Sequence, residues 1–288
     1  MKRYLGHLQY DLVKADVHSS KRSSMQKVEM VSKQLTALPV YNEVNHLIPV
    51  LDEVRKFSDH ILVVDDGSSD GTSELLDQQN DLLVIHHPEN RGYGAGLRSA
   101  FEFADAEGFE SLVTIDCDGQ HQPCLIPLLA ETLDSPEPVD IVSGSRYLQA
   151  FSNDTPPPEA RRAINMKINE LLATDLGLHL TDSFCGFKAY RVASLSKLNV
   201  TEYGYAMPMQ FWVQVVAQGL SVREFPVPLV YLEEERSFGG SLDDSEKRLK
   251  YYLQVFENEK AAWTETLATM TARVMDPAAA PSGCSPSL

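Results

Sequence analysis

Short apolar runs alternate with longer helical patterns from residue 31 onward, and this alternation constrains the fold more than any other feature of the chain. A β-α repeat of this kind is typical of a parallel sheet with helices on both faces. Its crossovers bring the carboxyl ends of the strands to one edge, where open α/β sheets bind ligands. The predicted strands are 33–39, 60–65, 82–86, 111–116 and 139–143, and the predicted helices are about 43–57, 71–79, 94–107 and 123–134.

The second half of the chain continues the pattern after a proline-rich interruption. Residues 149–160 include three consecutive prolines, which fit neither a helix interior nor a central strand, so we predict a mobile loop there. The polar ends suggest a disordered extension over 1–29 and a disordered tail over 266–288, with one domain over 30–265 between them. The remaining predicted elements are helices at 161–176, 206–219 and 243–265 and strands near 184–190 and 221–231.

An excess of acidic residues disfavours nucleic acids and anionic membranes as binding partners. The 288 residues include 41 acids and 25 bases, a formal net charge of -16 that would repel nucleic acids. An anionic membrane would also be repelled unless a local basic patch faces it. The four cysteines show no zinc-binding spacing, and no apolar run approaches the roughly 18 residues of a membrane span. We therefore expect a cytoplasmic protein, with peripheral attachment at the inner face of the cell membrane as a further option.

The first predicted strand ends in LPVYNE, residues 38–43, where Pro39 stops strand pairing. Tyr41 and Glu43 then project from the ligand edge, and an aromatic ring beside a carboxylate can stack on and hydrogen-bond a nucleobase. A plain strand-to-helix turn is the alternative interpretation of this segment.

The second strand ends in VVDDGSSDGT with two adjacent carboxylates, Asp65 and Asp66. Such a pair is unfavourable unless positive or hydrogen-bonding groups meet it, and Asp65 could accept a hydrogen bond from the imide of a base. The alternative is a tight Asp-Gly turn in front of a capped helix. A glycine-rich segment at 89–100 could turn backbone amides toward a phosphate. It follows the third strand, whereas a dinucleotide-binding fingerprint should follow the first, so an NAD-linked oxidoreductase is disfavoured.

The fourth strand ends in TIDCDGQH, which suggests a metal site. Residues two apart in extended chain point the same way, so Asp116 and Asp118 can offer oxygens to one cation at the sheet edge. Mg²⁺ or Mn²⁺ suits such ligands and can bridge a diphosphate. Gln120 and His121 follow within reach. A lone D-x-D is common in acidic chains, and its place at the end of a buried strand favours the metal-site interpretation.

Basic residues follow the fifth strand. Arg146, in VSGSRY, could hold a phosphate bidentately. Beyond the proline loop, Arg161, Arg162 and Lys167 are the densest bases of the domain, and a solvated helix face is the alternative interpretation of them.

Two further charged residues stand near glycines. Asp182, in TDSFCGFKAYR, could orient an acceptor or act as a general base. Arg236 precedes a Gly-Gly pair and could close onto a diphosphate as part of a lid, although the segment taken alone slightly favours an exposed loop.

Taken in order, LPVYNE, VVDDGSSDGT, DCDGQH, VSGSRY and TDSFCGFKAYR resemble the motifs of family-two inverting glycosyltransferases. The nearest likeness is to dolichyl- or polyprenyl-phosphate mannosyl- and glucosyltransferases, over about residues 33–255. The resemblance implies a GT-A fold, a GDP- or UDP-sugar donor and a polyprenyl-phosphate acceptor at a membrane surface. A lipid phosphate is already anionic, so its attack on the sugar would need no strong base.

The resemblance also implies roles for individual residues. By it, Asp116, Asp118 and Gln120 would hold Mg²⁺ or Mn²⁺, and Asp182 would be a positioning group. Asp118, Asp182 and Arg146 form the predicted catalytic set. The predicted nucleotide contacts are Pro39, Tyr41, Glu43, Asp65 and Asp66, and the predicted donor and acceptor phosphate contacts are Arg146, Arg162 and Arg236.

Departures from the family pattern concern mainly the acceptor. Gly119 stands where many relatives have a larger apolar residue, and Ser241 is followed by Leu242 where many have lysine. Transfer to a soluble or glycan acceptor is therefore a competing interpretation. The motifs also allow a nucleotidyltransferase on a similar sheet, or a nonenzymatic protein that binds sugar nucleotides.

Overall fold

A seven-stranded mixed sheet forms the centre of the protein. The computed structural model describes residues 2–5, 8–11, 33–231 and 240–275. In chain order, β1 and β2 form a separate antiparallel hairpin, and β3 to β9 form the sheet in the order β5-β4-β3-β6-β8-β7-β9. The strands are β1 (Lys2–Leu5), β2 (Leu8–Asp11), β3 (Gln34–Val40), β4 (Ile61–Asp65), β5 (Leu83–His86), β6 (Ser111–Thr114), β7 (Ile141–Ser145), β8 (Lys188–Arg191) and β9 (Val222–Pro226).

The sheet is parallel except at β8, which runs antiparallel to both of its neighbours, β6 and β7. The predicted α/β class with a mostly parallel sheet is confirmed. The reversal means that the amino end of β8, preceded by residues 182–187, lies at the same edge as the carboxyl ends of the other strands. The loop before β8 therefore reaches the ligand edge.

The two hydrophobic cores arise because side chains along each strand alternate between the two faces of the sheet. In β4, Leu62 and Val64 pack into one core while Ile61 and Val63 pack into the other, because successive side chains point to opposite faces. All five residues of this strand are buried. Such a run of apolar residues, ending in one carboxylate, is typical of a parallel strand covered on both faces.

Helices cover both faces of the sheet. Leu97 of α3 and Trp212 of α7 belong to one core, and Leu47 of α1 and Leu129 of α4 belong to the other. The helices are α1 (Leu47–Val54), α2 (Thr72–Leu76), α3 (Tyr93–Ala106), α4 (Ile126–Leu133), α5 (Glu159–Leu176), α6 (Val192–Leu195), α7 (Met207–Ala217), α8 (Ser245–Ala262) and α9 (Thr264–Met275), with short 3-10 helices at Pro123–Leu125 and Gly240–Asp243. No helix of the described residues is long and apolar enough to cross a membrane.

Several predicted boundaries differ from the structure. The final predicted helix, 243–265, is two helices separated at Trp263, whose backbone leaves the helical conformation. Helix α9 continues past residue 265 into the predicted tail, and the β1–β2 hairpin lies in the predicted N-terminal extension. The domain limits at 30 and 265 stay a prediction. The strand predicted over 221–231 ends at Pro226, and the following segment is tied to the proline loop, because Thr155 donates its N–H to the Leu229 carbonyl at 2.8 Å.

Candidate active site

A cavity of about 630 Å³ opens at the carboxyl edge of the sheet. It collects side chains from distant parts of the chain, as the parallel topology requires. The predicted residues that line it are Pro39, Tyr41, Glu43, Asp66, Asp116, Asp118, Gln120 and Arg146. Asp65, Arg162 and Asp182 do not line it, and Arg236 lies outside the described residues.

Asp116 lies at the end of β6 with its carboxylate 28% exposed. The Tyr93 hydroxyl donates to Oδ1 at 3.1 Å, and Nε2 of His121 is 3.5 Å from Oδ2. Burial disfavours the charged carboxylate, but the contacts to His121 and Tyr93 outweigh it and lower the pKa of Asp116. A Cβ at position 186 would collide with this carboxylate, so Gly186 is needed for the close approach.

The turn after Asp116 presents a second carboxylate to the cavity. Gly119 adopts a φ of 72°, a left-handed conformation that favours glycine, and the N–H of Gln120 donates to Asp118 Oδ1 at 3.0 Å. The unusual glycine of the DCDGQH motif therefore has a conformational reason. A larger residue would strain this turn.

The donors of this turn fit a small divalent cation. Asp116, Asp118 and Gln120 supply oxygens, the ligand type that Mg²⁺ and Mn²⁺ prefer. The Nδ1 atom of His121 is buried and has no hydrogen-bond partner among the described residues. Within that part of the chain, no three carboxylate, histidine or cysteine side chains form a closed metal cage.

The nucleotide edge predicted from LPVYNE is present in the cavity wall. Pro39, Tyr41 and Glu43 all line it, and Tyr41 is 46% exposed at its rim. Glu43 Oε2 lies 2.9 Å from Nδ1 of His46, which holds the carboxylate in place. An exposed ring next to an oriented carboxylate is suited to a planar base, and the nucleotide role of these residues stays a prediction.

The two adjacent aspartates of the second strand have separate environments. Asp65 is buried and accepts hydrogen bonds from Ser73 Oγ at 2.5 Å and from the Ser68 N–H at 3.0 Å, and His86 Nδ1 lies 2.9 Å away. Burial opposes its ionisation, but these contacts prevail and lower the pKa of Asp65 to about 2. Because Asp65 does not reach the cavity, its placement favours a structural anchor over a nucleoside contact.

Asp66 holds the glycine-rich segment against the sheet. Its carboxylate accepts the N–H of Gly92 at 2.7 Å and of Arg91 at 3.1 Å, and His87 Nδ1 lies 2.5 Å away. Two of the backbone amides predicted to face a phosphate are therefore bonded to Asp66 instead. Gly92 has a φ of 107°, and a Cβ there would collide with the Tyr203 carbonyl, so packing explains this glycine.

The environment of Asp65 predicts a pH dependence of stability. Its folded pKa of about 2 lies below the ordinary 3.8, so its contribution is complete above pH 4 and is lost as the pH falls toward 2. We expect Asp65→Asn to cost about 2 kcal/mol of unfolding free energy at pH 6 and progressively less below pH 4. Denaturant unfolding at several pH values checks this.

The exposed carboxylate Asp105 of α3 provides the matched control. Asp105→Asn should change the unfolding free energy little at any pH. A cost of Asp65→Asn that stays constant from pH 6 to pH 2 would contradict the assigned environment.

Arg146 and Asp182 form a buried ion pair. Nε and Nη2 of Arg146 donate to the two carboxylate oxygens at 2.7 and 3.0 Å, and Asn165 Nδ2 donates to Oδ1 at 2.7 Å. Asp182 is fully buried. Burial opposes its charge, but the charge of Arg146 outweighs this and lowers the pKa of Asp182. The placement favours a positioning role for Asp182 over a general base.

The same pair corrects the expectation that Arg146 grips a phosphate bidentately. The Nε–Nη2 edge of the guanidinium is occupied by Asp182, so this edge is not presented to a ligand. Arg146 still lines the cavity. Its remaining N–H donors can contact an anion, with their direction fixed by Asp182.

Arg161 rather than Arg162 reaches the cavity from α5. The Arg162 guanidinium lies over the Tyr147 ring at 3.7 Å from its centroid, whereas Arg161, Ile164 and Asn165 line the cavity. The spacing of residues along the predicted helix could have distinguished the two arginines. Arg161 is three residues before the buried Ile164, whereas Arg162 is four residues before the exposed Met166, so the two arginines share different helix faces.

Some cavity residues carry no signal in the sequence. Arg248 of α8 is 4% exposed, lines the cavity and donates to the Leu242 carbonyl at 2.6 Å. It lies within a charged helical run that gives no sign of burial. Six further aromatic side chains line the cavity: Tyr93, Tyr147, Phe184, Tyr205, Tyr231 and Tyr252.

The fold and the arrangement of the site define a GT-A glycosyltransferase. The sequence model of glycosyl transferase family 2 matches residues 36–198, more than half of the chain, and the chain therefore belongs to that family. The resemblance inferred from the ordered motifs is confirmed. The protein is a glycosyltransferase.

Two of the similar proteins are bacterial enzymes whose names refer to mannose and a polyprenol or its phosphate. The chain is 30% identical over 218 residues to a polyprenol monophosphomannose synthase of Mycolicibacterium smegmatis, covering 72% of this chain and 80% of that protein. It is 29% identical over 222 residues to an undecaprenyl-phosphate mannosyltransferase of Micrococcus luteus, covering 73% of this chain and 90% of that protein. In fold it is similar to glucosyl-3-phosphoglycerate synthase of Mycobacterium tuberculosis, with a TM-score of 0.61, 18% identity and 80% coverage of both chains.

Proposed function

We propose that this glycosyltransferase moves a hexose from a GDP- or UDP-sugar to a polyprenyl phosphate, with inversion at the anomeric carbon. The observation that carries the proposal is one cavity lined by both carboxylates and arginines, which we assign to an acidic half and a basic half. Asp116 and Asp118 follow β6, and Arg146 follows β7 beyond the reversed β8, while Arg161 of α5 and Arg248 of α8 also line the cavity. The names of the two bacterial relatives, both of which refer to polyprenyl-phosphate mannosyl transfer, support the acceptor.

The acidic half is the proposed donor side. Asp116, Asp118 and Gln120 would hold Mg²⁺ or Mn²⁺, which when bound neutralises charge on the leaving nucleoside diphosphate. A glucosyl-3-phosphoglycerate synthase of similar fold was crystallised with Mn²⁺ and UDP, which supports this choice of ion. Pro39, Tyr41, Glu43 and Asp66 would surround the nucleoside.

The basic half is the proposed acceptor side. Arg146, oriented by Asp182, and Arg161 would bind the acceptor phosphate, and Arg161 takes the place first predicted for Arg162. The phosphate oxygen is anionic at neutral pH, so it attacks without losing a proton to a base. Arg236 stays a predicted donor-phosphate contact, because it lies outside the described residues.

Labelled donors test the proposal directly. With Mn²⁺, labelled GDP-mannose and UDP-glucose are incubated with and without a prenyl phosphate, and we expect label in the organic phase only when the prenyl phosphate is present. Label on a water-soluble acceptor in its absence would contradict the assigned acceptor. Release of pyrophosphate from a nucleoside triphosphate would instead indicate a nucleotidyltransferase.

A further inference from the structure

Two large apolar side chains are exposed next to the cavity. Leu148, which follows Tyr147 at the start of the proline loop, is 45% exposed, and Met166 of α5 is 56% exposed. Single exposed apolar residues are common on protein surfaces. A group of them beside bases and beside a binding cavity is more informative.

The contact of Arg162 with Tyr147 joins these residues into one surface. Arg162 lies over the Tyr147 ring at 3.7 Å, so the chain segment that carries Leu148 is packed against α5. Met166 is four residues after Arg162 and therefore lies one turn along the same helix face. We name Leu148, Arg162, Met166 and the exposed Lys167 the docking face.

The docking face borders the cavity. Tyr147 precedes Leu148 and lines the cavity, and Arg161 beside Arg162 does so as well. A ligand that leaves the cavity between these two residues would reach the docking face first. None of the docking-face residues lines the cavity itself.

The local charge differs from that of the whole chain. The sequence has a formal net charge of -16, yet the four residues of the docking face include two bases, Arg162 and Lys167, and no acid. A neighbouring acid, Glu170, lies 3.5 Å from Lys167 and offsets part of its charge. The docking face is thus a place where an anionic surface can approach an otherwise acidic protein, since such attraction is local and screened within about 10 Å.

We propose that the docking face rests on an anionic lipid bilayer, with Leu148 and Met166 inserted among the headgroups. The inference rests on the proposed lipid acceptor and adds the surface by which the enzyme reaches it. Apolar insertion combined with basic contacts is the usual basis of peripheral binding. In this orientation the basic half of the cavity opens close to the lipid, so that a polyprenyl phosphate keeps its chain in the bilayer while its headgroup enters.

Vesicle flotation of the full-length protein tests the docking face without any sugar donor or acceptor. The probe is a vesicle of phosphatidylcholine with about 30% phosphatidylglycerol, an anionic content chosen to attract bases. We expect the wild type to float with these vesicles and the double variant Leu148→Glu/Met166→Glu to bind at least about tenfold more weakly. The matched control is Leu128→Glu, because Leu128 of α4 is also 45% exposed and does not line the cavity.

The outcomes separate this inference from the proposed function. Transfer to a short, water-soluble prenyl phosphate should be unchanged in the double variant, since neither residue lines the cavity. Wild-type protein that stays with the buffer, or a double variant that floats like the wild type, would refute the docking face while leaving the transfer reaction standing. A wild-type dimer that the double variant converts to monomers would assign the face to self-association instead.

Discussion

Replacing Asp118 with asparagine is expected to lower metal-dependent sugar transfer by about 100- to 1000-fold while the fold is retained. The loss corresponds to several kcal/mol of transition-state stabilisation, the amount that a bound ion supplies to a leaving diphosphate. Asp118 lines the cavity, and the described contact of its carboxylate with the Gln120 N–H can also be made by an asparagine oxygen. Steady-state transfer with varied Mn²⁺ measures the effect.

A control variant and an unfolding measurement show whether the effect of Asp118→Asn is specific to this carboxylate. Asp105→Asn removes an exposed carboxylate from α3, outside the cavity, and should leave transfer unchanged. Thermal unfolding of Asp118→Asn should match the wild type within a few degrees. Full turnover of Asp118→Asn, with unchanged Mn²⁺ dependence, would contradict the proposal that Asp118 is a metal ligand.

Replacing Asp182 with alanine is expected to cost about 3 to 5 kcal/mol of unfolding free energy. The variant leaves the Arg146 guanidinium in a largely buried position without its two carboxylate hydrogen bonds, and it removes the acceptor of the Asn165 amide. Sugar transfer should also fall, because Asp182 sets the direction in which Arg146 faces the cavity. Denaturant unfolding and transfer assays measure the two effects.

A double variant separates the structural role from the catalytic one. Arg146→Met combined with Asp182→Leu removes both charges, and replacing a buried ion pair by apolar groups is often close to neutral for stability. We therefore expect the double variant to regain most of the unfolding free energy but none of the transfer activity. Recovery of transfer along with stability would contradict the proposed role of Arg146 at the acceptor phosphate.

The sequence predicted the sheet and much of the cavity because both depend on local patterns. Buried apolar runs between helical segments specify parallel strands, and the residues just after such strands lie at one edge whatever the detailed packing. Pro39, Tyr41, Glu43, Asp116 and Asp118 could be placed by this rule, and the structure brings them to one cavity.

Features that depend on tertiary contacts were not accessible in the same way. The strand pattern does not reveal direction, so the reversal of β8 could not be foreseen. Asp65 and Asp66 are adjacent, and their separate environments depend on tertiary partners, including His86 for Asp65 and His87 for Asp66. Arg248 is buried because α8 packs over the cavity, a contact that its charged helix does not indicate.

The reversed strand β8 has a consequence for how two substrates meet. On one side of it, β3, β4 and β6 are followed by the cavity residues Glu43, Asp66 and Asp116, and on the other side, β7 is followed by Arg146. In the proposed reaction, a pyrophosphate bound through an ion would therefore be attracted to one side of the cleft and a bare phosphate monoester to the other. The separation of acidic from basic side chains would thus favour binding of each substrate in its own part of the cleft before any bond changes. It would disfavour the reversed arrangement, in which the two substrates could not react.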